Sequence, residues 1–193
     1  MTSDKKGSLT FSQPVERGAQ RFRELIVYIS NKCERDQYFG AIKLNKILYY
    51  SDFRAYERFG VSLTGRPYFR LKFGPAPRPL VIIQGELIEE GAIRLEQAPG
   101  PGGFEQKRTI ALRAPVLEHF TGDELALVDQ VIADLWNQTA AEVSDASHDI
   151  RWRVLEDRDG LPYEFAFLSN ESVTESDISR TRELASELGW ESR

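Results

Sequence analysis

Sulfur is almost missing from this chain of 193 residues: it has one Cys, one Met and only two His. A lone Cys33 excludes a disulfide within the chain and a structural zinc site built from several cysteines, and it fits a reducing compartment. His119 and His148 stand far apart among scattered carboxylates, which is not a metal-ligand spacing, so neither metal nor cofactor is expected. Nucleophilic chemistry needs a base beside its nucleophile, and nothing in the spacing pairs Cys33 with either histidine. Cys33 reads instead as a half-buried helix residue. Long apolar runs are missing too. The strongest is Leu80-Val81-Ile82-Ile83, against the ~18 residues that a membrane span requires. The polar start, Met1 to Gly7, has no apolar stretch behind it. No membrane association is expected, and the cytoplasm is the expected compartment. Gly100-Pro101-Gly102-Gly103 lacks the Lys-Ser/Thr of a phosphate loop and reads as a turn.

What is present is enough for a folded domain. Hydrophobic residues make up 41% and aromatics 11%, outside the range of a disordered chain. The 25 Lys+Arg and 30 Asp+Glu give a net charge of −5. The spread is uneven. Residues 1–72 hold 14 basic and 7 acidic side chains, and residues 73–193 hold 11 and 23. Such asymmetry points to a charged partner or to halves that neutralise each other.

The periodicities predict an α+β fold, mostly α-helical, with about six helices and a small antiparallel β hairpin. Residues 1–13 read as a flexible arm. A first helix over 14–33 carries Phe22, Leu25, Ile26 and Ile29 on one face. A second spans 41–59, with Leu44, Ile47 and Leu48 as its stripe and Gly60 as its stop. Residues 61–76 alternate as a strand would. A third helix covers 78–90, and strands follow at 92–98 and 109–112. Thr121 with Glu124 forms a capping box that opens a fourth helix, reaching 139. A fifth runs over 140–155, a short strand over 163–168 and a last charged helix over 174–188.

Two segments carry polar groups close to apolar stripes. Asn45, Tyr49 and Asp52 fall at steps of four and three beside Leu44 and Leu48, and read as a buried polar network that docks the helix, with a partner or ligand surface as the alternative. Ser144, His148 and Trp152 stack at i, i+4 and i+8 on the fifth helix, as a satisfied core histidine would. A helix followed by a hairpin also has the order of a winged helix. Glu86, Glu89 and Glu90 on the would-be recognition helix disfavour DNA, with only Lys107, Arg108 and Arg113 as a basic set on the wing. An enzyme would require Asn45, Asp52 and His148 to converge in one pocket.

Three pieces, taken in order, resemble the Panacea domain, the SocA-like antitoxin domain family. The first is Lys43-Leu44-Asn45-Lys46-Ile47-Leu48-Tyr49-Tyr50 with Asp52. The second is Thr64-Gly65, an aromatic strand, then Phe73-Gly74-Pro75. The third is Ser144 to Trp152, with Ser147-His148 and Trp152, and Tyr163-Glu164 fits as an ending. The resemblance covers roughly residues 20–168. It assigns 14–168 to the domain and 169–193 to a C-terminal helical extension.

The resemblance implies a bacterial or phage-associated antitoxin that neutralises a cognate toxin from a neighbouring gene, by direct contact or by delivery to a protease. It implies no enzyme and no catalytic residues. Lys43, Asn45, Lys46, Tyr50, Asp52, Gly74, Pro75, Ser147, His148 and Trp152 are carried over as partner-binding or structural positions. Some relatives carry a DNA-binding module ahead of the domain; only about 13 residues precede the first helix here, so none is expected. A basic toxin would dock on the acidic residues 73–193. The alternatives are a nucleic-acid-associated, winged-helix-like regulator and a phage-related accessory protein.

Overall fold

Helix α2, Ala41–Phe59, is apolar on two sides and is therefore the hub of the molecule. Leu44, Ile47 and Leu48 face one core with α1, Gly18–Lys32, while Tyr49 and Phe53 face a second, aromatic core. The computed structural model describes residues 9–168 together with Ser179, Arg180 and Glu183. Among the described residues stand six α-helices and two small antiparallel sheets, a mostly helical α+β fold.

The second helix begins and ends where its sequence pattern places it, with Gly60 closing it at φ 74, a left-handed conformation that costs glycine little. Helix α1 starts later than Pro14. Residues 13–17 turn so that Gln13 donates its N–H to the Gly65 carbonyl, and Gly18 then sits directly against the Thr64 carbonyl. The stretch expected to be a flexible arm is tied down over its described part. Thr10 N–H donates to Glu164, the Thr10 carbonyl accepts from Tyr163 N–H, and Gln13 Oε1 accepts from Ser62 N–H. Cys33 is fully buried rather than half-buried, and burial pushes its thiol up to about 12.

The extended segment 61–76 contains only a short strand, β1, Tyr68–Phe69. It is the centre of a three-stranded sheet between β2, Ala76–Pro77, and β5, Gly160–Leu161. Tyr68 lies opposite both Pro77 and Leu161. Helix α3, Leu80–Glu89, turns Leu80 and Leu87 inward. The hairpin pairs β3, Ile93–Pro99, with β4, Glu105–Ala111. β4 starts four residues earlier than expected because its polar side chains have docking partners: Gln106 donates to the Gln37 carbonyl, and Arg108 to those of Asp36 and Glu34.

Helix α4, Gly122–Leu135, opens on the Thr121/Glu124 capping box. A second capping box, Thr139/Glu142, opens α5, Ala140–Ala146. The expected continuous helix over 140–155 is broken. Ser147 turns its hydroxyl back to the Ser144 carbonyl at 2.7 Å, and Asp149 caps a new short helix, α6, Ile150–Arg153, by accepting from Arg151 N–H at 2.9 Å. Serine and aspartate compete for backbone groups in this way, and the competition ends one helix and begins the next. Residues 163–167 form a 3-10 turn instead of a strand, which lays the Tyr163 ring against Phe53 at 5.0 Å. The expected last helix, 174–188, lies outside the described residues except for Ser179, Arg180 and Glu183, which are helical. No helix among the described residues is long and apolar enough to cross a membrane.

Candidate functional site

The residues singled out in the sequence gather along α2, most of them beneath the surface. Lys43 and Asp36 are each 1% exposed and form an ion pair at 2.7 Å. Asp36 also accepts from Tyr38 N–H, so the pair pins the turn after α1 onto α2. A buried pair of this kind holds geometry, and removing one partner strands the other charge.

Lys46 is as deeply buried but has no carboxylate paired with it among the described residues. Its amine donates to the Pro75 carbonyl at 2.9 Å, and burial holds its pKa down to about 7. The contact depends on Gly74. At φ 90 it occupies a conformation that favours glycine, and a Cβ there would overlap Ser147 Oγ and stand 2.6 Å from Lys46 Nζ. Ser147 is fully buried. Lys46, Gly74, Pro75 and Ser147 thus come from three separate stretches and meet where α2, the turn before β2 and the α5–α6 break converge.

Asp52 is the second buried polar centre. It accepts from Thr64 N–H at 2.8 Å, Thr64 Oγ1 at 2.5 Å and the Tyr68 hydroxyl at 2.9 Å. Burial raises its pKa to about 6, and the Thr64 and Tyr68 bonds oppose that rise. Tyr68, whose hydroxyl also lies 2.9 Å from the Leu48 carbonyl, is pushed well above the ordinary tyrosine range, first by burial and then by Asp52.

Asn45, Tyr49 and Asp52 do not form the single network expected of them. Asn45 donates to the Ala41 carbonyl of its own helix. The Tyr49 hydroxyl is buried beside Arg151 with no hydrogen bond of ordinary geometry. Tyr50 is half-buried between the two cores, with its ring 4.9 Å from that of Tyr49.

His148 and Trp152 remain neighbours although the helix between them is broken, with ring centroids 4.0 Å apart. Trp152 donates Nε1–H to the Leu71 carbonyl at 2.8 Å, and the Arg70 guanidinium lies 3.8 Å from its ring centre. His148 Nε2 is buried with no protein hydrogen-bond partner, so this is not the satisfied core histidine expected. Asn45, Asp52 and His148 each have separate surroundings, and no hydrogen bond joins them.

Sequence reasoning missed Asp36, Tyr68 and Arg70, which complete these centres. The alternation of Tyr68 with its neighbours was the one available signal. Asp36 lies in a short polar connection, where nothing local marks it as a partner for Lys43. The basic set on the hairpin also changes meaning. Arg108 binds carbonyls inside the molecule, and Arg113 holds Glu24 through two bonds of 2.6 and 2.7 Å. Burial alone would raise Glu24, but Arg113 and Val116 N–H hold it below its ordinary range.

At the surface, an apolar groove of about 460 Å³ opens between the hairpin tip and the start of α5. Tyr38, Pro101, Phe104, Ala140 and Ala141 line it, with Glu105 at its edge. Phe104 is 78% exposed. Among the described residues, no group of three or more His, Cys, Asp or Glu is placed to hold a metal ion.

A family model described as antitoxin SocA-like, Panacea domain, matches residues 44–153. That stretch runs from the second residue of the α2 motif to the end of α6 and contains the Lys46 and Asp52 centres, while the Asp36–Lys43 pair lies just ahead of it. Comparison with curated proteins and with solved structures gives no match.

Proposed function

The chain belongs to the antitoxin SocA-like, Panacea domain family, and from that premise we propose that it neutralises a toxin encoded by a neighbouring gene through direct contact, without catalysis of its own. The observation that carries this reading is the division between interior and surface. Lys43, Lys46, Asp52, Gly74, Pro75 and Ser147 are buried in the scaffold, so a partner meets other residues. The groove at the hairpin tip is the feature best shaped to receive one. A concave apolar site with a large exposed aromatic suits the buried anchor of a protein interface.

The charge around the groove favours a basic partner. Glu105 lines it, and Glu142 and Asp145 lie exposed along α5, in the acidic part of the chain. Cationic groups on the rim of a toxin complement them. Occlusion of the toxin follows from such docking. Delivery to a protease would need a second surface, so the groove supports the direct route. The site of action is the cytoplasm, where such a toxin is made.

Two other readings have less support. Nucleic-acid binding would draw on the cations of the hairpin, but Arg108 and Arg113 are spent inside the molecule, which leaves Lys107 of that set on the surface. An enzyme would draw on Asn45, Asp52 and His148, which are engaged separately.

Expression of the adjacent gene alone is expected to arrest growth, and co-expression of this chain to restore it. Phe104→Asp is expected to abolish the rescue. Unchanged growth when the neighbour is expressed alone contradicts the proposal.

A further inference from the structure

Helix α3 has an outward face whose order of side chains is unusual. Val81 is 80% and Ile82 68% exposed. Scattered exposed aliphatics are ordinary, but two large ones side by side on a helix make a patch. One turn on, Gly85 carries no side chain, and a Cβ there would meet nothing within 4 Å. Arg78, just ahead of the helix with its guanidinium 5.4 Å from the Phe69 ring centre, and Glu89, at its last turn, are both exposed, and neither forms an ion pair among the described residues. By contrast, Glu86 and Glu90 on the same helix both take Arg23 of α1. Arg78, in the turn ahead of α3, lies three and four positions before Val81 and Ile82, Gly85 lies four and three positions after them, and Glu89 four after Gly85, so they share one side, opposite the buried Leu80 and Leu87. Along it run a cation, two aliphatics, a bare backbone and an anion.

Both charges sit at the unfavourable end of their own helix. A cation near the N-terminus and an anion near the C-terminus oppose the helix dipole, and α3 has no acidic residue in its first turn and no basic one in its last. An antiparallel helix laid along the stripe reverses both relations.

We propose that this stripe is a twofold interface with a second copy of the chain, α3 against α3. With the axis between Ile83 and Gln84, Arg78 of each copy meets Glu89 of the other. Ile82 of each seats on Gly85 of the other, where the missing side chain lets the helices approach closely. A twofold contact must be complementary to itself, and the stripe is. A parallel pairing would set Arg78 on Arg78 and Glu89 on Glu89. The proposal does not depend on the toxin reading.

Sedimentation velocity of the full chain over a concentration series tests it. The mass is expected to climb from 22.0 kDa toward twice that value. Arg78→Glu and Glu89→Arg, each alone, are expected to stay at 22.0 kDa, since each sets like charges together at both ends. The double variant R78E/E89R is expected to associate again, and so is an equimolar mixture of the two single variants. Both substitutions are on exposed side chains, and unchanged circular dichroism confirms that the variants fold. A mass of 22.0 kDa at every concentration overturns the proposal, as do single variants that associate like the parent. A monomer whose Ile82→Asp variant loses the rescue of growth also overturns it, and assigns the stripe to the toxin.

Discussion

Lys46 donates its amine to the Pro75 carbonyl at 2.9 Å, deep in the protein, with no carboxylate in an ion pair with it. Three residues earlier on the same helix, Lys43 has Asp36 for its charge. Two buried lysines on one helix thus do different work. Lys43 anchors a turn by ion pairing. Lys46 serves as a hydrogen-bond donor whose charge the site disfavours, and it ties α2 to the turn before β2.

The first prediction concerns pH. Burial lowers the Lys46 pKa from 10.5 in the unfolded chain to about 7 in the folded one. Between those values the unfolded chain binds more protons, so the contribution of this site to stability rises with pH across that window. Lys46→Met removes the titration. Thermal unfolding between pH 7 and 9 is expected to show a rising melting temperature for the parent, and a smaller rise for the variant. Parallel curves contradict the assignment.

Gly74→Ala combines an unfavourable backbone conformation with overlap onto Ser147 and Lys46. The expected loss is about 3 kcal/mol, read by urea unfolding. Gly85→Ala, on the open face of α3, is expected to raise the stability of the single chain by about 0.5–1 kcal/mol through helix propensity, while filling the seat that the α3 pairing needs.

Asp52 titrates in the opposite sense. Burial raises its pKa from 3.8 to about 6, so the folded chain binds more protons in that window and stability from this site falls as pH rises through it. Asp52→Asn is expected to remove that fall while keeping acceptor capacity. Asp52→Ala leaves the Thr64 N–H and hydroxyl short of a partner, while the Tyr68 hydroxyl keeps the Leu48 carbonyl, an expected cost of about 1–3 kcal/mol. Comparing the two variants by calorimetry at pH 4 and pH 7 checks both statements.

His148→Ala is expected to be mild. Its Nε2 has no protein partner to strand, and the ring loses only its contact with Trp152, worth about 0.5–1.5 kcal/mol. Trp152→Ala removes a half-buried indole together with the bond to Leu71 and the Arg70 contact, and is expected to cost more, about 2–3 kcal/mol. Equal effects in denaturant unfolding contradict this ranking.

The parts of the fold that were legible are those where local signals agree. Helix α2 has an apolar residue every three or four positions and a glycine at its end, and α4 has its capping box. The α5–α6 break was not legible by periodicity, because Ser144, His148 and Trp152 fall at helical spacing while the capping chemistry of Ser147 and Asp149 works against a continuous helix. The burial of Lys43 and Lys46 was hidden for a different reason. A lysine is ordinarily a surface residue, and their partners, Asp36 and the Pro75 carbonyl, come from segments with no periodicity to place them. Their burial also corrects the charge reading: neither amine adds to a positive surface on residues 1–72. The Asp52 centre was half visible, since a carboxylate beside an apolar stripe calls for donors, but Thr64 and Tyr68 are known as those donors only from the fold.

The central claim is that the motif residues hold the scaffold while the groove at Phe104 holds the partner. The most direct measurement is calorimetric titration of the purified product of the adjacent gene into the parent chain and into Phe104→Asp, with melting temperatures taken alongside. The account predicts a tight complex with the parent, and a variant that melts like the parent but binds at least about thirtyfold more weakly, the loss of one interface anchor. Equal affinity for both proteins, or no complex with the parent, contradicts it.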